Sequence, residues 1–287
     1  MYNNLVIDCN SICHMAKHSM GGLSYESQKV GVIFGFLRQL LKLSKLYNTN
    51  KFIFCWDSQT SLRKNIFPEY KNNRHKDKTP EDIEFDTLIY GQFNMLKKEI
   101  IPQMGFKNNF EFEGFEADDV IAEVVMSHPN RKFVIASTDS DLFQLLFHNE
   151  VTLYQLMSKK EITYNDIEQL YGVTPDTWAK VKAISGCVTD NVPGITGVGE
   201  KTAIKYLNNQ LKHTTKAYQA IKNGQEIIDR NINLVLLPFQ GTPETKLQKD
   251  TPNFPQFIQV CRQYGFESFL RNDEIGNWEK YLFKESA

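Results

Sequence analysis

The chain lacks the means to build a disulfide framework or a zinc knuckle. Its five cysteines, Cys9, Cys13, Cys55, Cys187 and Cys261, are odd in number, and no two stand in a Cys-x-x-Cys pair. They read as reduced thiols of a cytoplasmic protein. It also lacks an apolar run long enough to span a membrane, the stretch from Val32 to Leu43 being broken by Arg38 and Lys42. No secretory leader is expected, because a strand pattern begins within five residues of Met1. Internal repeats and low-complexity tails are absent too. Finally, there is little net charge: 33 basic against 34 acidic residues give −1. That excludes a uniformly basic surface and says nothing of local patches.

What the chain does have is carboxylates in structured places. Glu116-Ala117-Asp118-Asp119 puts three acids within four residues, with no basic residue close by in sequence. Val120, Ile121, Val124 and Val125 follow at helical spacing, so the acids open a helix, where the dipole favours negative charge by ~0.3–1 kcal/mol. Such acids alone describe an ordinary surface helix. Three apolar runs change the weighting. Leu5–Ile7 stops at Asp8, Lys51–Trp56 stops at Asp57, and Phe133–Ala136 leads into Ser137-Thr138-Asp139-Ser140-Asp141. In an alternating α/β chain, ligands bind outside the carboxyl ends of parallel strands. With Asp190, eight acids converge: Asp8, Asp57, Glu116, Asp118, Asp119, Asp139, Asp141 and Asp190.

Like charges 4 Å apart repel by roughly 4 kcal/mol at an effective dielectric of 20. Hard divalent cations resolve that repulsion, and all-oxygen ligation suits magnesium or manganese over zinc. Setting the eight aside leaves 33 basic against 26 acidic residues (34 less eight), so the remaining surface can be positive in places.

Two further stretches point to phosphate. From Ser58 to Lys78 the chain turns polar and basic, with Arg63, Lys64, Lys71, Arg74, His75, Lys76 and Lys78 around Tyr70. A solvated loop is the ordinary meaning of such a run. Placed just after an acidic strand end, it also suits a phosphodiester strand, cations for phosphates and tyrosine for base stacking. Later, Gly194-Ile195-Thr196-Gly197-Val198-Gly199 precedes a helix carrying Lys201 and Lys205. A glycine hairpin between helices exposes N–H groups to phosphate oxygens. A plain turn between helices is the alternative. The helical pattern places helices near Lys29–Leu46 and Glu81–Met104, the latter burying Ile83, Leu88, Ile89, Phe93, Leu96 and Ile100, and another at 142–146.

In this order the blocks resemble the structure-specific 5′-nucleases: bacteriophage 5′→3′ exonucleases, the 5′-nuclease domain of bacterial DNA polymerase I, and flap endonucleases. The carriers are the Asp8 and Asp57 strand ends, Leu62-Arg63 with Phe67–Arg74, Glu116–Asp119, Ser137–Asp141, the glycine hairpin through Lys201, and Asn231–Pro238. The resemblance implies an α/β, PIN-like (Rossmann-like) fold: a mostly parallel central sheet with flanking helices. It implies a nuclease domain over 1–178, a helical arch at about 58–100, and a helix-hairpin-helix lobe with the C-terminal segment over 179–287. Asp8, Asp57, Glu116, Asp118 and Asp119 would serve largely one ion, and Asp139, Asp141 and Asp190 a second. Two Mg2+ ions are expected, Mn2+ substituting, with a monovalent cation at the hairpin. Lys71 would reach the scissile phosphate, Arg74 supporting it and Tyr70 stacking the terminal base. Arg63, Gly194, Gly197, Gly199 and Lys201 would bind DNA. The implied partners are DNA with 5′ flaps, free 5′ ends or single-strand/duplex junctions, and replication proteins. The implied state is a cytoplasmic monomer with no membrane role.

One departure stands out. The family's Gly-Asp-x-x-Asp-Asn reads Gly186-Cys187-Val188-Thr189-Asp190-Asn191 here, a cysteine replacing a metal-site aspartate. A thiol is a poor ligand for a hard ion, so the second site should bind magnesium more weakly. A junction-binding relative without catalysis stays open on that ground. So does a PIN-type ribonuclease, which shares the acidic site but predicts no DNA hairpin lobe.

Overall fold

The computed structural model describes residues 4–75, 78–147 and 150–284. Numbering only the central sheet, its strands are β1 Asn4–Asp8, β2 Phe52–Cys55, β3 Asn109–Phe110, β4 Phe133–Ser137, β5 Val151–Gln155 and β6 Lys160–Ile162. They lie in the order β3-β2-β1-β4-β5-β6. Every pair is parallel except β5 with β6. β1, β2 and β4 are buried at all positions. Helices on both faces explain why these strands read as continuous apolar runs without alternation.

Strand order reverses between β1 and β4, which opens a crevice at their carboxyl ends. The register sets what enters it. Asp8 lies level with Cys55, and Ile7 with Ala136. Asp57 and Thr138–Asp139 therefore begin where β1 stops.

One face of the sheet is covered by the helices Cys9–Met20, Gly31–Tyr47 and Pro80–Met95. The C-terminal helices Phe254–Gln263 and Asn272–Leu282 join that same core. Trp278 and Phe257 are wholly buried, their ring centroids 4.5 Å apart. Each such side chain contributes about 1.5–3 kcal/mol on leaving water. Residues 254–284 thus pack with the sheet and not with the lobe they were grouped with on sequence. The other face carries Ala117–Ser127, Tyr164–Tyr171 and Trp178–Ser185. Residues Asp141–Phe147, expected as an α-helix, form a 3-10 turn on that side.

The long helix near 81–104 is present as Pro80–Met95, continued by a π-turn at Leu96–Ile100 and a last turn to Gln103. Ile83 and Leu88, expected inside, are 56% and 49% exposed. The buried stripe runs instead through Ile89, Phe93, Leu96 and Ile100, successive positions on one face. Gln92, also buried, turns its Oε1 to the Val32 and Ile33 N–H groups at 2.9 and 3.3 Å. It thereby satisfies orphan donors at the start of Gly31–Tyr47.

Candidate metal and nucleic-acid site

Each acid is delivered by a local device. Asp8 caps the helix Cys9–Met20, accepting from Ser11 N–H at 2.9 Å and Ser11 Oγ at 2.6 Å. Ser137 Oγ donates to the same Oδ2 that accepts from Ser11 Oγ, tying β1 to β4. Asp57, two residues past β2, accepts the Ala117 N–H at 2.8 Å. Glu116 is the N-cap of Ala117–Ser127, with Asp119 completing a capping box. Asp139 accepts the Asp141 N–H at 2.8 Å beyond β4.

Burial and mutual repulsion raise several of these carboxyls above the ordinary range. Asp57 is pushed up to about 6, chiefly by burial, with Glu116 and Asp8 adding to it against Lys71. Asp139 rises to about 7 through burial and then Asp141. Asp118 is held well above its usual value by burial and then by Asp139, Asp8 and Asp57. Asp141 is raised as well, by burial, with Lys182 opposing. Glu116 goes the other way: burial would raise it, but Lys71 and Arg63 outweigh burial and lower it. A set of oxygens that binds protons for want of positive charge fits hard divalent cations.

Three expected roles need correction. Asp119 is wholly buried. Arg63 meets it through NH1 and NH2 at 2.7 and 2.8 Å, and the N–H groups of Phe239 and Glu116 donate at 2.8 and 3.0 Å. Its oxygens are fully engaged, so it braces the helix and does not face the crevice. Arg63, expected on DNA, is 2% exposed and is held there by Asp119 and the Leu234 carbonyl. Tyr70, expected to stack a base, is 2% exposed and packs among Ala183, Val192, Leu234 and Val235. Its hydroxyl donates to Glu116 at 3.0 Å. The partners of the acidic motif were thus invisible locally because they arrive from some fifty residues upstream.

Lys71 does enter the crevice. Its Nζ lies 2.7 Å from Glu116 and 3.7 Å from Asp190. Its backbone has φ +57° and is pinned by a 2.8 Å bond to the Asp190 carbonyl. Asn191 returns a 2.7 Å bond to the Glu69 carbonyl. Residues 67–73, within the stretch expected as an arch, therefore lie against the lobe. The Arg74 side chain lies outside the described residues.

The lobe begins with Trp178–Ser185, turns through a two-stranded hairpin of Gly186–Cys187 and Val192–Pro193, and resumes at Glu200–Leu207. Ile195 and Val198 point inward, while Gly197, Gly199 and Lys201 are exposed. Gly194 packs against Ser185 too closely for a side chain.

Lys182 went unnoticed in the sequence. It is buried, with Nζ 3.3 Å from Asp141, 3.0 Å from Glu200 and 3.2 Å from Ser140. Its position on the helix face opposite Lys180 was the only available signal. A cavity of about 600 Å³ lined by Asp139, Asp141, Lys182, Cys187, Asp190 and Gly199 joins the crevice to the glycine turn.

A family model described as 5′-3′ exonuclease, N-terminal resolvase-like domain, matches residues 3–172. The chain belongs to the 5′-3′ exonuclease family. It is accordingly a nuclease, a hydrolase of phosphodiester bonds. A 5′-3′ exonuclease of Buchnera aphidicola subsp. Schizaphis graminum is 30% identical over 226 residues, 77% of this chain and 75% of its own length. DNA polymerase I of Pseudomonas aeruginosa is 30% identical over 299 residues, covering 98% of this chain and 31% of the polymerase. A bacteriophage T5 flap endonuclease, solved as a pseudo-enzyme-product complex with DNA and metal ions, superposes with TM-score 0.69 at 22% identity. That match covers 96% of this chain and 99% of the other. At such identity it establishes the α/β fold, sheet and lobe together.

Among the described residues, no helix is long and apolar enough to cross a membrane.

Proposed function

We propose that this 5′-3′ exonuclease family member uses Mg2+, replaceable by Mn2+, to cut DNA at or near 5′ ends and at flap junctions. The observation that carries the reading is the crevice itself: Asp8, Asp57, Asp118 and Asp139 crowd one strand-end notch with their charge unbalanced. Asp8, Asp57, Asp118 and Asp139, with Glu116, would hold one ion, and Asp141 and Asp190 a second. Bound divalent ions supply a water that ionises near neutral pH and charge to offset the leaving oxygen.

The chain's own groups do the rest. Lys71 offers a positive charge at the crevice mouth and can exchange Glu116 for a phosphate oxygen. Tyr70, through its bond to Glu116, fixes where Lys71 stands. The exposed Gly197 and Gly199 N–H groups and Lys201 grip duplex phosphates without reading sequence, and a monovalent cation at that turn would strengthen the grip. The same chemistry suits a cytoplasmic monomer serving replication partners that leave flaps.

Cleavage of labelled 5′-flap DNA under a magnesium titration, with single-stranded RNA alongside, tests this. Flap cleavage that vanishes in EDTA supports it. Binding without cleavage at any magnesium concentration would favour a non-catalytic relative, and preferential RNA cleavage a PIN-type ribonuclease.

A further inference from the structure

Three atoms able to bind a metal meet where the sheet faces the lobe. A carboxylate oxygen of Asp141, Sγ of Cys187 and a carboxylate oxygen of Asp190 all lie within 4.8 Å of one another. Asp141 comes from the turn after β4, the other two from the hairpin loop. The hairpin is well held: Cys187 pairs with Val192, and the Asp190 N–H donates to the Cys187 carbonyl at 3.3 Å. Cys187 Sγ lies 3.0 Å from Thr189 Oγ1. Lys182, 3.3 Å from Asp141, opposes a cation here, yet Glu200 at 3.0 Å and Ser140 at 3.2 Å give it an alternative berth.

We propose that Asp141, Cys187 and Asp190 form a site selective for thiophilic divalent ions such as zinc or cadmium over magnesium. The proposal rests on the metal-site reading of the crevice. Magnesium demands near-octahedral oxygen ligation and gains little from sulfur, whereas zinc accepts thiolate and carboxylate together. With Zn–S at about 2.3 Å and Zn–O at about 2.0–2.2 Å in a tetrahedral shell, two ligands of one ion lie roughly 3.5 Å apart. Small side-chain rotations therefore suffice to close the set. As the sulfur–metal bond forms, the Cys187 S–H bond breaks and its proton passes to solvent, one per ion. The thiolate then restores the negative charge that aspartate carries in the family pattern.

Cys187 is half-buried while Cys9, Cys13, Cys55 and Cys261 are buried, so alkylation by iodoacetamide, located by mass spectrometry, reports on it selectively. With zinc at ten times its dissociation constant only the free fraction reacts, and alkylation should slow about tenfold. Millimolar magnesium, held weakly by the two carboxylates alone, should slow it far less. Asp190→Asn should weaken the protection. Zinc titration of Cys187→Ser by calorimetry should show lower affinity and a lost proton release, a check that does not depend on the Asp190 variant. Equal alkylation with and without zinc, equal protection by magnesium, or unaltered zinc affinity in Cys187→Ser would overturn the proposal. No DNA enters these measurements, so a failure to cleave would count against the nuclease reading alone.

Discussion

Asp119 meets Arg63 through both carboxylate oxygens and is wholly buried, whereas Asp118, one residue earlier, faces Asp8, Asp57 and Asp139 across the crevice. Both belong to the first turn of the same helix. A helix advances 100° per residue, so adjacent side chains look in different directions. One direction leads to a guanidinium and two N–H donors, the other to more carboxylates. The first aspartate is a structural brace; the second stores repulsion that a cation can relieve. The same motif thus carries stability and chemistry on neighbouring residues.

The largest effect should come from breaking the brace. Arg63→Ala leaves Asp119 charged, buried and unpaired, a loss of about 3–5 kcal/mol in urea denaturation. Asp118→Asn should do the reverse in metal-free protein, raising stability by about 1–2 kcal/mol as repulsion is relieved, while cleavage is lost. If both substitutions destabilise equally, the contrast between the two positions is wrong.

A pH series sharpens it. Asp57 at about 6 and Asp139 at about 7 stand above their ordinary value near 3.8. Between roughly pH 4 and 7 the folded chain therefore holds protons that the unfolded chain has released, so stability falls as pH rises through that window. In EDTA, Tm should be higher at pH 5 than at pH 7.5, by the equivalent of about 2 kcal/mol after allowance for solvent screening. Divalent ions should flatten the slope, because they favour the ionised carboxyls that protons otherwise neutralise. A metal-free Tm that climbs toward pH 7.5 would contradict it.

Strand ends were legible because buried parallel strands leave uninterrupted apolar runs, and the acids that stop those runs at Asp8 and Asp57 do enter the crevice. The glycine turn was legible through its spacing. Which acids were already paired was not. Arg63 and Lys71 reach Glu116 and Asp119 only through folding, and no local pattern signals a contact some fifty residues long. Tyr70 looked like a stacking platform because aromatic residues among cations often are, yet its neighbours in space are Leu234 and Val235. Residues 241–287 were unreadable for a related reason. Trp278 and Phe257 carry no motif, and their place is fixed by the apolar face of Gly31–Tyr47 that needs covering.

The lobe repeats the comparison with glycines and predicts the smallest effects. A Cβ at Gly194 would lie 2.2 Å from the Ser185 carbonyl carbon, while one at Gly197 would meet nothing within 4 Å. Gly194→Ala should therefore disturb the hairpin itself. Gly197 has φ +77°, so Gly197→Ala costs about 1 kcal/mol of backbone strain without a clash. Its exposed turn should nonetheless lose close approach to a phosphate, weakening duplex binding while the crevice keeps its affinity for metal. Lys201, exposed on the first turn of Glu200–Leu207, gives the finest reading. If it contacts one phosphate, Lys201→Ala should reduce the slope of log K against log salt by about 0.9 and weaken all sequences alike. An unchanged slope for Lys201→Ala, with unchanged duplex affinity for Gly197→Ala, would leave neither residue on DNA and make the turn an ordinary connection between helices.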